Sequence, residues 1–174
     1  MGLERTLWRY SGCDPEAPGC GRADRYPSDV LALASRYCSV GSSEGWSDVQ
    51  RVVDVARRYL GVPYVFGGTN REFGLGCSAL VQLVYGQLGL HLPRTAQQQY
   101  NATVRIAADE LRPGDLVFFA GTYPDPHDWI THVGIYLGGG QQINAPTTGQ
   151  VVSIQPVFSG FCGAHFVAGG RLST

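Results

Sequence analysis

The chain has 174 residues, enough for one domain with a buried core and too many for a miniprotein held by disulfides alone. Its 13 basic residues, all arginine, are balanced by 14 acidic ones, which excludes the strongly basic surface of a nucleic-acid-binding protein. No run approaches the roughly 18 apolar residues of a membrane span, so we expect no membrane insertion.

The first 45 residues differ in composition from the rest and lead into a stretch of small polar residues at 39–46. We therefore expect a domain boundary there, with an N-terminal segment or linker at 1–45 and the main domain at 46–174. Cys13 and Cys20 bracket a Pro-containing loop that a disulfide could close, and two unpaired surface thiols are the alternative. Five cysteines are an odd number, so one thiol stays free if the others pair.

The first predicted element of the main domain is an amphipathic helix. It begins at Ser47, which forms a capping-box pattern with Gln50, and it ends at Gly61. Its apolar face follows the helical period. That face consists of Val49, Val52, Val53, Ala56, Tyr59 and Leu60.

A second helix is predicted from Ser78 to Leu88, with Cys77 on its buried face at the first turn. The unpaired N–H groups and the dipole of a helix N-terminus favour thiolate over thiol, which makes the sulfur a better nucleophile. A core cysteine is the alternative. Thr95 followed by Gln98 predicts the start of a third, shorter helix.

The second half of the domain changes to the pattern of β-strands. Short runs rich in β-branched and aromatic residues are separated by Gly or Pro turns. The predicted strands are Leu116–Ala120, Ile130–Leu137, Gln141–Ala145, Val151–Ile154 and His165–Gly169. Helices followed by strands predict an α+β fold in which the N-terminal helices pack on an antiparallel β-sheet.

A nucleophilic cysteine needs a base, and the chain has four histidines. His132 shares one face of its predicted strand with Gly134, which leaves room for the helix that carries Cys77 to approach. The others lie in turn-rich segments, where we expect surface positions, or at the start of the last predicted strand: His91, His127 and His165.

Asn144 is the candidate third member of the site, from the pairing of two strands across a hairpin. Opposed residues in an antiparallel hairpin have a constant sum of residue numbers. A two-residue turn at Gly138 gives 277 and puts Asn144 on the wrong face, whereas a three-residue turn gives 276 or 278. Asn144 then lies opposite or diagonal to His132 and could orient its ring. A polar residue near a turn, without a catalytic role, is the alternative.

The sequence gives little support for a metal site or a phosphate site. Cys162 and His165 are spaced like one half of a zinc site, but no second pair at that spacing exists. The glycine runs fit neither of the common phosphate-binding loops. We expect no metal and no cofactor.

Five segments, in order over roughly 46–172, resemble the successive motifs of the NlpC/P60 cysteine peptidases. They are Gly61-Val-Pro-Tyr-Val-Phe-Gly-Gly68, Cys77-Ser-Ala-Leu-Val81, Leu92-Pro-Arg-Thr95, Leu111-Arg-Pro-Gly-Asp-Leu-Val-Phe-Phe119 and Thr131-His-Val-Gly-Ile-Tyr-Leu137. The resemblance implies a papain-like NlpC/P60 fold and a thiol hydrolase that degrades bacterial cell walls. The bond cleaved in the peptidoglycan stem peptide would commonly be that between γ-D-glutamate and a diamino acid.

The resemblance also implies roles for individual residues. Cys77 would be the nucleophile, His132 the general base and Asn144 the residue that orients it. Residues expected around the oxyanion and the substrate are Tyr64, Gly76, Ser78 and Arg94. Two positions depart from the family pattern, since Gly76 stands where the family usually has Asp and Ala79 where it usually has Gly. That Asp is associated with binding a substrate amine in some members, so Gly76 affects the expected specificity more than the chemistry.

The N-terminal segment also carries a fainter resemblance, at Leu7–Tyr10 and Val30–Tyr37. These residues are similar to the closing helix of the lytic-transglycosylase-like domain that precedes such peptidases in phage and mobile-element wall hydrolases. The chain would then be a fragment of a larger protein. If this segment packs against the domain, Cys38 and Cys162 are a further candidate disulfide.

Two alternatives to a peptidase stay open. One is a catalytically inactive wall-binding module, suggested by Gly76 and Ala79, and the other is a papain-like amidase or acyltransferase acting on a different substrate. The expected partner is peptidoglycan, bound by a monomer. The expected location is extracellular, in the cell wall or associated with a phage or mobile element, with the export signal upstream or with release by lysis.

Overall fold

A computed structural model of the chain describes residues 44–172. The helices and the small hairpin of the first half are α1 (Glu44–Arg57), β1 (Thr69–Asn70), β2 (Gly74–Leu75), α2 (Cys77–Gly86) and α3 (Ala96–Asn101). The second half contains β3 (Thr103–Ile106), a 3-10 turn (Ala108–Glu110), β4 (Leu116–Ala120), β5 (Ile130–Gly138), β6 (Gln141–Asn144), β7 (Ser153–Pro156), α4 (Gly160–His165) and β8 (Phe166–Leu172). The predicted α+β class is confirmed.

The six strands from β3 to β8 form one antiparallel sheet in the order β3-β8-β4-β5-β6-β7. Its two faces are both covered, because Phe118 and Phe119 point to opposite faces of β4 and neither is exposed. Phe118 contacts Tyr100 of α3 edge to face, with ring centroids 5.2 Å apart. Phe119 contacts Phe166 of β8 on the other face, where Cys162 of α4 also packs.

Helix α1 begins earlier than predicted. Ser47 lies inside the helix, and the Gln50 side chain donates to Asp54 at 2.8 Å. The predicted start at Ser47 is therefore wrong. Four predicted core residues of this helix are buried, namely Val52, Val53, Ala56 and Tyr59. Leu60 is instead 42% exposed, because the helix ends at Arg57 and the following turns break the helical period.

The next two helices agree closely with the sequence. α2 begins at Cys77 and buries Leu80, Val81, Val84 and Tyr85. At α3, Thr95 Oγ1 accepts from the Gln98 backbone, and Gln98 Oε1 accepts from the Thr95 backbone, so this capping box is present.

The observed bounds of the strands match the predicted bounds less consistently. β4 has the predicted bounds, whereas β7 begins two residues later than predicted. His165 does not begin a strand, since it ends α4 and its Nδ1 lies 2.7 Å from the Ala120 carbonyl oxygen. Helix α4 contains Gly160 and Gly163 and has little helical signal of its own. Its position depends on packing against β4 and β7.

Candidate active site

Cys77 is the first residue of α2, and the loop at 62–68, which backbone hydrogen bonds hold in place, lies beside it. Gly76, the N-cap residue, is extended and donates to the Gly68 carbonyl at 2.9 Å. On the other side of the loop, Tyr64 donates to the Gln150 carbonyl at 2.9 Å. The half-buried Cys77 therefore lies beside a loop whose backbone is fixed by hydrogen bonds at both of its ends.

His132 and Asn144 lie diagonally across β5 and β6. Ile135 pairs with Ile143, so the residue numbers of opposed pairs add up to 278, one of the two predicted values. Asn144 Nδ2 lies 3.0 Å from His132 Nε2, and both side chains are buried. The register arises differently from the prediction. Gly138 pairs with Gln141, so the turn has two residues, and a bulge before Gly138 restores the even register.

Gly134 has a different role from the predicted one. A Cβ at this position would lie 2.0 Å from Gln142 Oε1 and 3.3 Å from Asn144 Cβ. The space that glycine leaves is therefore filled by the side chains of β6 and not by the helix that carries Cys77. The expectation that Gly134 makes room for this helix is wrong, because a neighbouring strand occupies that space.

A cavity of about 950 Å³ brings together all seven residues predicted for the catalytic and substrate-binding roles. Its lining includes Tyr64, Gly76, Cys77, Ser78, Arg94, His132 and Asn144. It also includes residues that sequence reasoning missed, namely Phe66, Tyr123, Asp125 and Asp128. The last three lie in the loop between β4 and β5, where the sequence contained only a turn-rich signal.

Arg94 connects the two edges of the cavity. Its guanidinium donates to Ser78 Oγ at 3.0 Å and to the Gly67 carbonyl at 2.8 Å. Arg94 therefore ties the first turn of α2 to the loop at 62–68, and it adds a positive charge to the wall of the cavity.

Burial determines the resting charges of Cys77 and His132. It raises the pKa of the Cys77 thiol, outweighing the backbone N–H groups of Val133, Ser78 and Cys77 and the charge of Arg94, all of which lower it. Burial also lowers the pKa of His132 to about 4. The resting pair is thus a neutral thiol and a neutral imidazole. The helix N-terminus alone led us to expect a thiolate, but its effect is smaller than that of burial.

The other predicted cysteine and histidine residues lie in different environments. Cys162 is a free thiol whose Sγ lies 3.4 Å from Gln142 Nε2, and its candidate disulfide partner Cys38 lies outside the described residues. Packing of Cys162 against the core beside β4 accounts for its burial without a disulfide. The remaining disulfide candidates, Cys13, Cys20 and Cys38, lie outside the described residues. His91 and His127 are exposed as predicted. Within residues 44–172, no group of three or more His, Cys, Asp or Glu side chains could hold a metal.

Comparison with known proteins identifies the family. Residues 61–171, more than half of the chain, match the NlpC/P60 family. The chain belongs to the NlpC/P60 family. This NlpC/P60 chain is 44% identical over 123 residues to the bifunctional muramidase/DL-endopeptidase CwlT of Bacillus subtilis, a match that covers 71% of the chain and 36% of CwlT. It is 40% identical over 160 residues to the probable endopeptidase YafL of Escherichia coli, covering 86% of the chain and 63% of YafL.

Solved structures confirm the predicted papain-like NlpC/P60 fold. A lipoprotein-like NLP/P60 protein of Staphylococcus aureus superposes with a TM-score of 0.66 at 33% identity. That match covers 97% of this chain and 60% of the Staphylococcus protein. The NlpC/P60 chain thus spans about a third of CwlT and less than two thirds of YafL. No helix within the described residues is long and apolar enough to cross a membrane.

Proposed function

We propose that this chain is a cysteine endopeptidase that cleaves the stem peptide of peptidoglycan, at the bond between γ-D-glutamate and a diamino acid. The observation that carries the proposal is the grouping of Cys77, His132 and Asn144 in one cavity, with His132 bonded to Asn144 at 3.0 Å. Relatives named as endopeptidases support the type of reaction.

The reaction follows from the positions of these groups. His132 takes the thiol proton as Cys77 Sγ attacks the carbonyl carbon of the scissile amide. The Cys77 backbone N–H and Tyr64 donate to the oxyanion. His132 then protonates the leaving amine, the C–N bond breaks, and a thioester remains on Cys77. A water molecule that gives its proton to His132 attacks the thioester, which releases the carboxylic acid and regenerates the thiol.

This reaction requires a particular orientation of the Asn144 amide. With Nδ2 facing His132 Nε2, the amide donates and the ring proton is on Nδ1, whereas the base needs Nδ1 without a proton. A half-turn of the amide lets Oδ1, which is buried without a partner, accept from Nε2–H instead. We infer that the catalytic state has Oδ1 on His132. An Asn144→Asp variant, which can only accept when ionised, should then keep more activity than Asn144→Ala, by at least tenfold in kcat.

Gly76 bears on which stem peptides are cleaved. Its φ of −82° suits any residue, and a Cβ would meet its nearest neighbours at 3.5 Å, an ordinary contact. Neither backbone nor packing therefore requires glycine at this position. The carboxylate that binds a free substrate amine in some relatives is missing, so we propose that the site acts within longer stem peptides and does not need their free amino terminus.

The wider setting of the domain is also a proposal. We propose that the protein acts outside the cell or in the wall, as a monomer, and that residues 1–45 belong to a separate segment joined to a domain at 46–174. The near balance of 13 basic and 14 acidic residues supports a wall substrate over nucleic acid.

Digestion of purified peptidoglycan tests the proposed function. Wild-type protein should release fragments with new amino termini on the diamino acid, as identified by mass spectrometry, and Cys77→Ala should release none. Cys162→Ala is the matched control and should retain activity, because the proposed reaction uses only the Cys77 thiol although Cys162 also lines the cavity. Binding of peptidoglycan by the wild type without cleavage would favour the inactive wall-binding module, and equal cleavage by Cys77→Ala would rule out the mechanism.

A further inference from the structure

The loop at 121–129 enters the cavity at Tyr123 and is well anchored. Thr122 donates its backbone N–H to Thr131 Oγ1 at 2.9 Å, and the two threonine hydroxyls lie 2.8 Å apart. Further along, Asp125 Oδ1 accepts from the His127 backbone N–H at 2.9 Å. Tyr123 therefore directly follows a residue that is bonded to β5, in a loop that also contains a turn of its own at Asp125.

Tyr123 also contacts the loop on the other side of the nucleophile. Its ring meets Phe66 edge to face, with centroids 5.4 Å apart and an interplanar angle of 84°. Both rings line the cavity that contains Cys77. Phe66 remains 68% exposed although it packs on Tyr123, so this aromatic pair is a solvent-facing edge of the cavity and not part of the core.

The hydroxyl of Tyr123 is available to a ligand. No group within residues 44–172 hydrogen-bonds to it, although the side chain is half-buried. Burial raises the pKa of Tyr123 to about 12, and the nearby Cys77, Asp125, Tyr64 and Asp128 add to this effect. The phenol therefore keeps its proton at physiological pH and faces the same space as the nucleophile.

We propose that Tyr123 is a substrate-binding residue whose hydroxyl donates to a carbonyl or carboxylate oxygen of the bound stem peptide, while Phe66 fixes the position of its ring. The proposal rests on the function proposed above. A donor that acts equally on bound substrate and transition state affects KM and leaves kcat unchanged.

Three variants in the full chain test this role. Tyr123→Phe keeps the ring contact and removes only the hydroxyl, Phe66→Leu removes the ring contact, and Tyr100→Phe removes a hydroxyl outside the cavity. With a synthetic stem peptide, Tyr123→Phe should raise KM about fivefold to tenfold, the effect of one neutral hydrogen bond, with kcat within twofold. Phe66→Leu should raise KM by a smaller factor, and Tyr100→Phe should match the wild type.

A binding measurement separates this proposal from the proposed function. In a Cys77→Ala background, which cannot form the thioester, calorimetry should show the same fivefold to tenfold weaker binding of the stem peptide by Tyr123→Phe. The role of Tyr123 is refuted if the Cys77→Ala proteins with Tyr or Phe at position 123 bind the peptide equally well. It is also refuted if neither protein binds the peptide. If binding weakens as expected but the wild type never cleaves, the role of Tyr123 stands and the peptidase function fails.

Discussion

Lowering the pH should destabilise this protein through His132, which is buried and uncharged. Its pKa falls from 6.5 to about 4 on folding. Since the folded pKa is the lower one, the unfolded chain binds the proton first. The stability that comes from keeping His132 neutral is therefore fully present above pH 6.5. It is lost progressively as the pH falls toward 4. Between pH 7 and pH 4.5 the free energy of unfolding should decrease by about 2 kcal/mol from this residue alone.

Urea unfolding at pH 7, 5.5 and 4.5 measures this loss, with His132→Gln as the matched protein that cannot titrate at this position. The wild type should lose about 2 kcal/mol more than His132→Gln over the interval, whatever the absolute stability of the variant. Carboxylates contribute equally to both proteins and cancel in the difference. Equal pH dependence in the two proteins, or an NMR titration of His132 near 6.5, would refute the reasoning.

Four further substitutions test the packing, the ion pair and the specificity. Gly134→Ala should cost about 1–3 kcal/mol in thermal or urea unfolding, because a Cβ there lies 2.0 Å from a buried amide oxygen. Gly86→Ala, with no neighbour within 4 Å, should be neutral or stabilising by up to about 1 kcal/mol, and equal effects at the two positions would contradict this account. Arg171→Ala should cost about 2 kcal/mol, because it removes the two bonds, of 2.6 and 2.7 Å, that Arg171 donates to buried Asp115; an unchanged urea midpoint would show that water replaces the arginine. Gly76→Asp should fold with a nearly unchanged melting temperature and cleave stem peptides with a free amino terminus faster than the wild type, and no gain on those peptides would remove position 76 from specificity.

Much of the site could be predicted because local patterns determine it. The helical period placed Cys77 at the start of α2, and the capping box at Thr95 fixed the start of α3. The even register that brings Asn144 to His132 was one of the alternatives that the sequence left open, and a bulge produces it rather than a longer turn. A bulge depends on how the whole sheet twists, and short-range patterns do not contain that information.

The missed features depend on distant contacts. Helix α4 contains two glycines and forms where it can cover the sheet, so its own residues do not predict it. The place of Tyr123 in the cavity depends on Phe66, 57 positions earlier in the chain. The charge state of Cys77 was also beyond local reasoning, since a helix N-terminus is visible in a sequence but the extent of burial is not.

Covalent trapping shows directly whether Cys77 is the nucleophile toward a stem peptide. The probe is a stem peptide that ends in a chloromethyl ketone at the γ-carbonyl of D-glutamate, so that attack by sulfur forms a stable thioether and releases chloride. Intact mass spectrometry and peptide mapping then locate the label among the five cysteines. One label is expected, on Cys77, together with loss of peptidoglycan cleavage. A label on Cys162 would contradict the role of Cys77 as nucleophile. Full peptidoglycan cleavage by protein whose Cys77 stays unlabelled after exhaustive treatment would contradict it as well.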